Sequence, residues 1–229
     1  MLQVKQLAFD FSVVHAPTLD NFVAGRNGEL VARLRSLASV KPDERLLYLW
    51  GPPGSGRTHL LRAAVSLLDP GSTRVAYIAC SRETLLSDRL LDRDALAIDD
   101  VERLDEAGQV SFFNLYNAFR DGGKTLLASG TAAPMQLPLR ADVITRLAWG
   151  FVYEVHCLSD VEKAHALAEH AAARGFALQA DVIQYLLTHG RRDMPTLLAM
   201  LDALDRYSLA AKRAVTMPLL RELLSTITD

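Results

Sequence analysis

The sequence predicts an α/β domain built on a parallel sheet, followed by a smaller domain made only of helices. Two observations carry this reading. Between about residues 46 and 156, short apolar runs rich in β-formers alternate with helical stretches. Strands joined by helical crossovers pair in parallel, with helices on both faces of the sheet. After Ser159 such runs stop and only helical patterning continues. A glycine-rich loop that closes the first strand is the third observation, and it carries the chemistry. The 229 residues suit this division, at roughly 100–200 residues per domain.

The strands are expected at LLYLW (46–50), RVAYIA (74–79), ALAID (95–99), TLLAS (125–129) and FVYEV (151–155), which makes a five-stranded parallel sheet. Ser159 and Glu162 form a capping box, each side chain satisfying a backbone N–H of the other, and open a helix that ends near Gly175. Further helices follow over 180–189, about 193–212 and 217–227. The α/β domain is thus expected over 17–157 and the helical domain over 158–229, with 1–16 as a separate N-terminal segment.

Composition removes several classes of function. Half of the residues are hydrophobic and 23% are charged, which excludes a disordered chain. The 25 Lys plus Arg against 27 Asp plus Glu leave a net charge of -2, so any contact with DNA is expected to be weak or indirect. No apolar run approaches the ~20 residues of a membrane span. Residues 1–11 lack the apolar stretch of a signal peptide. Cys80 and Cys157 show neither CxxC nor zinc spacing and suit a reducing compartment. A soluble, cytoplasmic protein is expected. The six histidines are scattered, and His165 and His170, five apart, do not share a helix face for a metal.

The strongest motif is Gly51-Pro-Pro53-Gly54-Ser55-Gly56-Arg57-Thr58-His59, directly after the strand 46–50 and opening the helix THLLRAAVSLL. Its glycines let backbone N–H groups turn inward around phosphate oxygens, and the helix N-terminus adds the positive end of its dipole. The Thr58 hydroxyl is placed for Mg²⁺. Position 57 is Arg where the usual pattern has Lys; Arg keeps the charge but is planar and bulkier. Intrinsic hydrolysis is therefore expected to be weak or partner-dependent, and the nucleotide to be ADP or ATP. The partner element is Ala95-Leu-Ala-Ile-Asp99-Asp100, a strand ending in two carboxylates. Asp99 would reach Mg²⁺ through water and Asp100 would orient an attacking water.

Several segments together resemble the replication initiator DnaA: Trp50 through Leu61, Ile98-Asp99-Asp100, FFNLYNAFRDGGKTLLASG (112–130) and Thr18-Leu-Asp-Asn-Phe-Val-Ala-Gly25. The likeness is greater to the DnaA regulatory inactivator Hda family, which also has Arg in the loop and a segment like Ile144-Thr-Arg-Leu-Ala-Trp-Gly150. That resemblance implies an AAA+ base with a helical lid. It places Asn21, Phe22 and Val23 along an adenine pocket, although Phe22 alone would read as core. It assigns Arg146 as an arginine finger offered to a neighbouring subunit, and Arg192 as a lid residue that senses the nucleotide. Thr131 stands where these relatives usually have Asp, and can still donate a hydrogen bond to water or phosphate. Asp100 stands where many shortened relatives have Asn.

Gln6-Leu7-Ala-Phe9-Asp-Phe11 resembles the hexapeptide by which replication proteins dock on the DNA sliding clamp, the beta subunit of DNA polymerase III. Alternation puts Leu7, Phe9 and Phe11 on one side, as docking into an apolar groove needs. An edge strand packed on the α/β domain would show the same alternation. The function implied by the resemblance is a clamp-docked regulator that stimulates ATP hydrolysis by DnaA and so prevents re-initiation. A homo-oligomer is left open, and direct origin binding is not expected. The competing expectation is an AAA+ ATPase of the helicase-loader or transposition-accessory type.

Overall fold

The structure is a computed structural model that describes residues 16–39, 45–69, 74–189 and 193–228. Gln6, Leu7, Phe9, Phe11 and Arg192 lie outside the described residues. The chain divides into two compact units, Ala16–Cys157 and Leu158–Asp229.

The first unit holds a five-stranded parallel sheet of β1 (Leu46–Trp50), β2 (Val75–Ala79), β3 (Ala95–Asp99), β4 (Thr125–Gly130) and β5 (Phe151–Glu154). Its order is β2-β3-β4-β1-β5, so β1 sits between two strands that come much later in the chain. The helices are α1 (Gly28–Ser36), α2 (Arg57–Leu68), α3 (Glu106–Asp121) and α4 (Ala141–Leu147). Because successive strand residues point to opposite faces, β1 divides its side chains between two cores. Leu46 and Tyr48 join Leu96, Ile98, Leu126, Phe112, Phe119 and Leu147 on the face covered by α3 and α4. Leu47 and Leu49 join Leu34, Leu60, Leu61, Ala97 and Leu127 on the face covered by α1 and α2. Strands buried on both faces read as continuous apolar runs, which is why LLYLW and ALAID were legible as strands.

α1 was not among the expected elements, yet Leu30, Val31 and Leu34 recur at helical spacing and are buried. α3 starts at a clear signal: the Asp105 side chain accepts a hydrogen bond from the Gly108 N–H at 2.7 Å.

The second unit contains α5 (Asp160–Ala173), α6 (Ala180–His189), α7 (Met194–Ala211) and α8 (Met217–Thr228). The capping box at Ser159 and Glu162 is present, and Gly175 takes the left-handed conformation just past the end of α5. Leu167, Val182, Leu186, Leu197, Leu201, Leu204 and Leu220 close its core. Asp202 on α7 pairs with Arg174, just past the end of α5, and hydrogen-bonds His170 of α5, a polar stitch within this unit. No helix among the described residues is long and apolar enough to cross a membrane.

Candidate functional site

The glycine-rich loop lies between β1 and α2, at the carboxyl ends of the strands. Pro53 and Gly54 form its exposed crest, while Ser55 and Arg57 turn inward and are buried. Gly51 has no room for a Cβ, which would lie 2.5 Å from the Val155 carbonyl oxygen, and two further positions need the glycine backbone. Gly54 has φ +82° with open space around it, and Gly56 has φ +101° with the Phe22 ring 2.7 Å from where a Cβ would lie. Gly56 therefore serves both the turn and the close approach of Phe22. The Phe22 ring also meets His59 at a centroid distance of 5.4 Å. The His59 Nε2 lies 2.9 Å from the Thr18 carbonyl, and burial holds its pKa below the usual value. Asn21 and Thr18 exchange hydrogen bonds between side chains and backbone N–H groups, at 2.9 and 3.1 Å. The segment carrying Asn21, Phe22 and Val23 is thus fastened to the start of α2, with Phe22 against the loop.

Asp99, at the end of β3 and 3% exposed, is the centre of the site. Three hydroxyls donate to its carboxylate: Thr58 at 2.6 Å and Tyr77 at 2.8 Å on one oxygen, and Ser129 on the other. The Ser129 Oγ also accepts the Asp100 N–H at 3.1 Å, tying the ends of β3 and β4 together. Burial, and the hydrogen bond to Asp99, push the Tyr77 hydroxyl up to about 12. Burial also pushes the Cys80 thiol up to about 12, with Asp99 adding to it.

Asp100 adopts the left-handed conformation, φ 57° and ψ 54°, which Asp tolerates better than most residues. Its two oxygens face two cations, Arg57 Nη2 at 3.3 Å and Arg103 Nε at 3.4 Å. Burial raises the Asp100 pKa and the Asp99 charge adds to this, against the pull of Arg57. Thr131 is exposed, and its backbone N–H donates to Glu102 Oε1 at 3.1 Å. The other Glu102 oxygen is buried beside Gly130, where an added Cβ would also collide with the Tyr48 hydroxyl.

This arrangement fits a phosphate group with its divalent cation. Arg57 Nη1 and Ser55 Oγ are buried and without a hydrogen-bond partner among the described residues, as donors awaiting an anion would be. The first-turn N–H groups of α2 add the helix-terminal donors. The protein donors for Mg²⁺ are few, the Thr58 hydroxyl and the Asp99 carboxylate, which suits a cation held mainly by phosphate oxygens and water.

Arg146 lies apart from these residues, on α4. Its Nε donates to Asn117 Oδ1 at 2.7 Å, and its guanidinium lies over the rings of Trp149 at 4.0 Å and Phe113 at 4.8 Å. Trp149 is 51% exposed and also lies under Arg120 at 4.9 Å. Cation–π packing plus one amide bond orients Arg146 without neutralising it. The sequence reading named Arg146 but not Asn117, Phe113, Trp149, Tyr77 or Ser129. Asn117 and Phe113 were visible in FFNLYNAF, whereas their contact with Arg146 spans about thirty residues and has no local signal.

With this geometry in place, comparison with known proteins gives the family. The bacterial DnaA ATPase domain matches residues 14–154, and the Hda lid domain matches residues 160–224. The chain belongs to the bacterial DnaA ATPase family. Domain III of the Thermotoga maritima replication initiation protein DnaA is similar at 21% identity and a TM-score of 0.69, covering 92% of this chain and 96% of that one. AMPPCP-bound DnaA from Aquifex aeolicus is similar at 22% identity and a TM-score of 0.67. That match covers 82% of this chain but 64% of the Aquifex chain, so this chain spans under two thirds of that initiator. The RuvB Holliday junction branch migration motor of Thermotoga maritima shares the fold at 16% identity and a TM-score of 0.65, covering 94% of this chain and 73% of that one. The fold is that of an AAA+ α/β base, and the family match extends through an Hda-type helical lid.

Proposed function

We propose that this DnaA-family protein is a nucleotide-binding regulator that stimulates ATP hydrolysis by the initiator DnaA and thereby prevents re-initiation of replication. The observation that carries the reading is Arg146: a guanidinium oriented by Asn117, Trp149 and Phe113, with no carboxylate partner among its described contacts. A cation fixed in this way on an outer helix suits a negative charge delivered by another molecule. Its substrate would be the γ-phosphate of ATP held by DnaA, where such an arginine stabilises transition-state charge.

In this reading the protein's own site is a switch, and its own ATP hydrolysis is weak or depends on a partner. Ser55, Arg57, the loop glycines and the first turn of α2 bind the phosphates of ADP or ATP. Phe22, Asn21 and Val23 border the base, and Thr58 and Asp99 hold Mg²⁺, which when bound neutralises phosphate charge. The Hda lid match and the bound AMPPCP of the Aquifex DnaA structure support nucleotide binding. Gln6, Leu7, Phe9 and Phe11 dock the protein on the sliding clamp, bringing Arg146 to DnaA at replicating DNA.

The test is ATP hydrolysis by DnaA with clamp loaded on DNA, measured with and without this protein and with its Arg146→Ala variant. Stimulation that disappears with the variant is the expected result. Absence of stimulation by the folded, nucleotide-loaded protein would overturn the reading. Gln6→Ala with Leu7→Ala should abolish clamp binding and spare nucleotide binding; unchanged clamp binding rejects the docking assignment.

A further inference from the structure

The cation of the phosphate loop is already engaged. Arg57, the first residue of α2, is buried and places Nη2 3.3 Å from Asp100 Oδ1. Its other terminal nitrogen, Nη1, is buried and has no partner among the described residues. A guanidinium with five donors presented in a rigid fork is thus half satisfied by a carboxylate and half left open. Phosphate oxygens arriving in the loop would meet the open half first. To grip them in a bidentate way, Arg57 must give up Asp100.

The carboxylate is held in place for this competition. Asp100 takes a left-handed backbone conformation, and its N–H is fixed by Ser129 Oγ at 3.1 Å. Arg103, three residues on, approaches the second oxygen at 3.4 Å. Arg103 is 63% exposed in its side chain, so it draws on Asp100 from the solvent side while Arg57 draws from within. Each cation lowers the share of the carboxylate charge that the other receives. From these contacts we propose that Asp100 determines nucleotide affinity by competing with bound phosphate for Arg57, and that Arg103 sets how strongly it competes. This rests on the nucleotide-site reading and gives Asp100 a role that a water-orienting carboxylate alone does not have. Such a water-orienting role leaves binding unchanged and affects hydrolysis; competition for Arg57 moves the dissociation constant and the release rate.

The experiment measures binding and release of a fluorescent ADP analogue by the full chain with Mg²⁺ removed by EDTA, so that metal coordination does not enter. Asp100→Asn should tighten binding about tenfold and slow release, since one partly buried ion pair no longer has to be broken. Arg103→Ala should weaken binding roughly twofold to threefold, because Asp100 then leans more on Arg57. Asp100→Asn also removes negative charge near the phosphates, and an Arg57→Gln background separates the two effects. There the gain from Asp100→Asn should fall below about twofold if it acts through Arg57, since a direct charge effect survives and an ion-pair effect does not. An undiminished gain in that background, or unchanged affinity of Asp100→Asn in the native background, overturns the proposal while leaving the nucleotide site standing. No binding by either the native chain or the Asp100→Asn variant overturns the nucleotide site itself, and the competition with it.

Discussion

The two ends of the chemistry on the α/β unit are built in opposite ways. Around Asp99, most polar groups are interlocked: three hydroxyls share one buried carboxylate, and Arg57, Asp100 and Arg103 form a chain of charges beside it. Around Arg146, one amide bond and two rings hold a half-buried guanidinium outside the main core. The first arrangement couples function to stability, because any member removed leaves others unpaired in a low-dielectric site. The second separates them, since little buried structure depends on the arginine. On the proposed reading, the site that binds the protein's own ligand is assembled as part of the core, whereas the arginine proposed to act on another molecule is held outside it.

The sharpest contrast is expected from Arg146→Ala. DnaA hydrolysis in the clamp assay should return to the level of DnaA alone, a loss of about 10³-fold or more for an arginine finger. The stability of the variant, read from its urea unfolding, should fall by no more than about 1–2 kcal/mol, the loss of one hydrogen bond and two cation–π contacts. A variant that loses stability in step with activity would break the comparison. Asp99→Leu should do the reverse and cost about 2–4 kcal/mol of folding stability, because the Thr58, Tyr77 and Ser129 hydroxyls lose their shared acceptor. Denaturant unfolding with no nucleotide present measures this, and an unchanged midpoint would show that the hydroxyl cage does not bind the strand ends together.

Trp149 tests how far the surface arrangement depends on its aromatic support. Trp149→Ala should reduce stimulation of DnaA roughly threefold to tenfold, as expected for one partly exposed cation–π contact. Trp149→Phe should restore most of it. The indole is half exposed, so both variants should keep native stability within about 0.5 kcal/mol. Equal stimulation by all three chains would leave Asn117 and Phe113 as the groups that orient the arginine.

This contrast also explains what the sequence made legible. The five strands, the loop and the capping box at Ser159 were readable because each is encoded within a few residues. Apolar runs, glycines at positive φ and a Ser followed three places later by Glu are local signals. The insertion of β1 between β4 and β5 was not readable, nor were the partners of Asp99, which come from 22, 30 and 41 residues away. The pairing of Arg57 with Asp100 was hidden for the same reason: each residue was read toward the phosphate, and neither toward the other. Thr131 was read for its hydroxyl, while the contact the fold makes is through its backbone N–H to Glu102, a residue that carried no motif.

The smallest expected effect concerns pH, and it bears on the interlocked end alone. Tyr77 has its hydroxyl pushed up to about 12 in the folded chain by burial and by its hydrogen bond to Asp99. An unfolded tyrosine ionises near 10, so the folded chain holds the proton more tightly. Its contribution to stability is therefore fully present below pH 10 and is lost as the pH rises from about 10 toward 12. Tyr48 moves in the same direction, chiefly by burial. Solvent reaches part of the Tyr77 ring, so the effect at pH 11 should stay below about 1 kcal/mol. Urea midpoints taken from pH 9 to 11 should decline, and Tyr77→Phe should decline less steeply, because phenylalanine has no proton to lose. Every other group that changes charge in this range is common to both chains, so the difference between the two slopes isolates Tyr77. Parallel slopes would mean that the hydroxyl cage around Asp99 is looser in solution than its short hydrogen bonds imply. In that case the stability cost expected of Asp99→Leu should shrink with it.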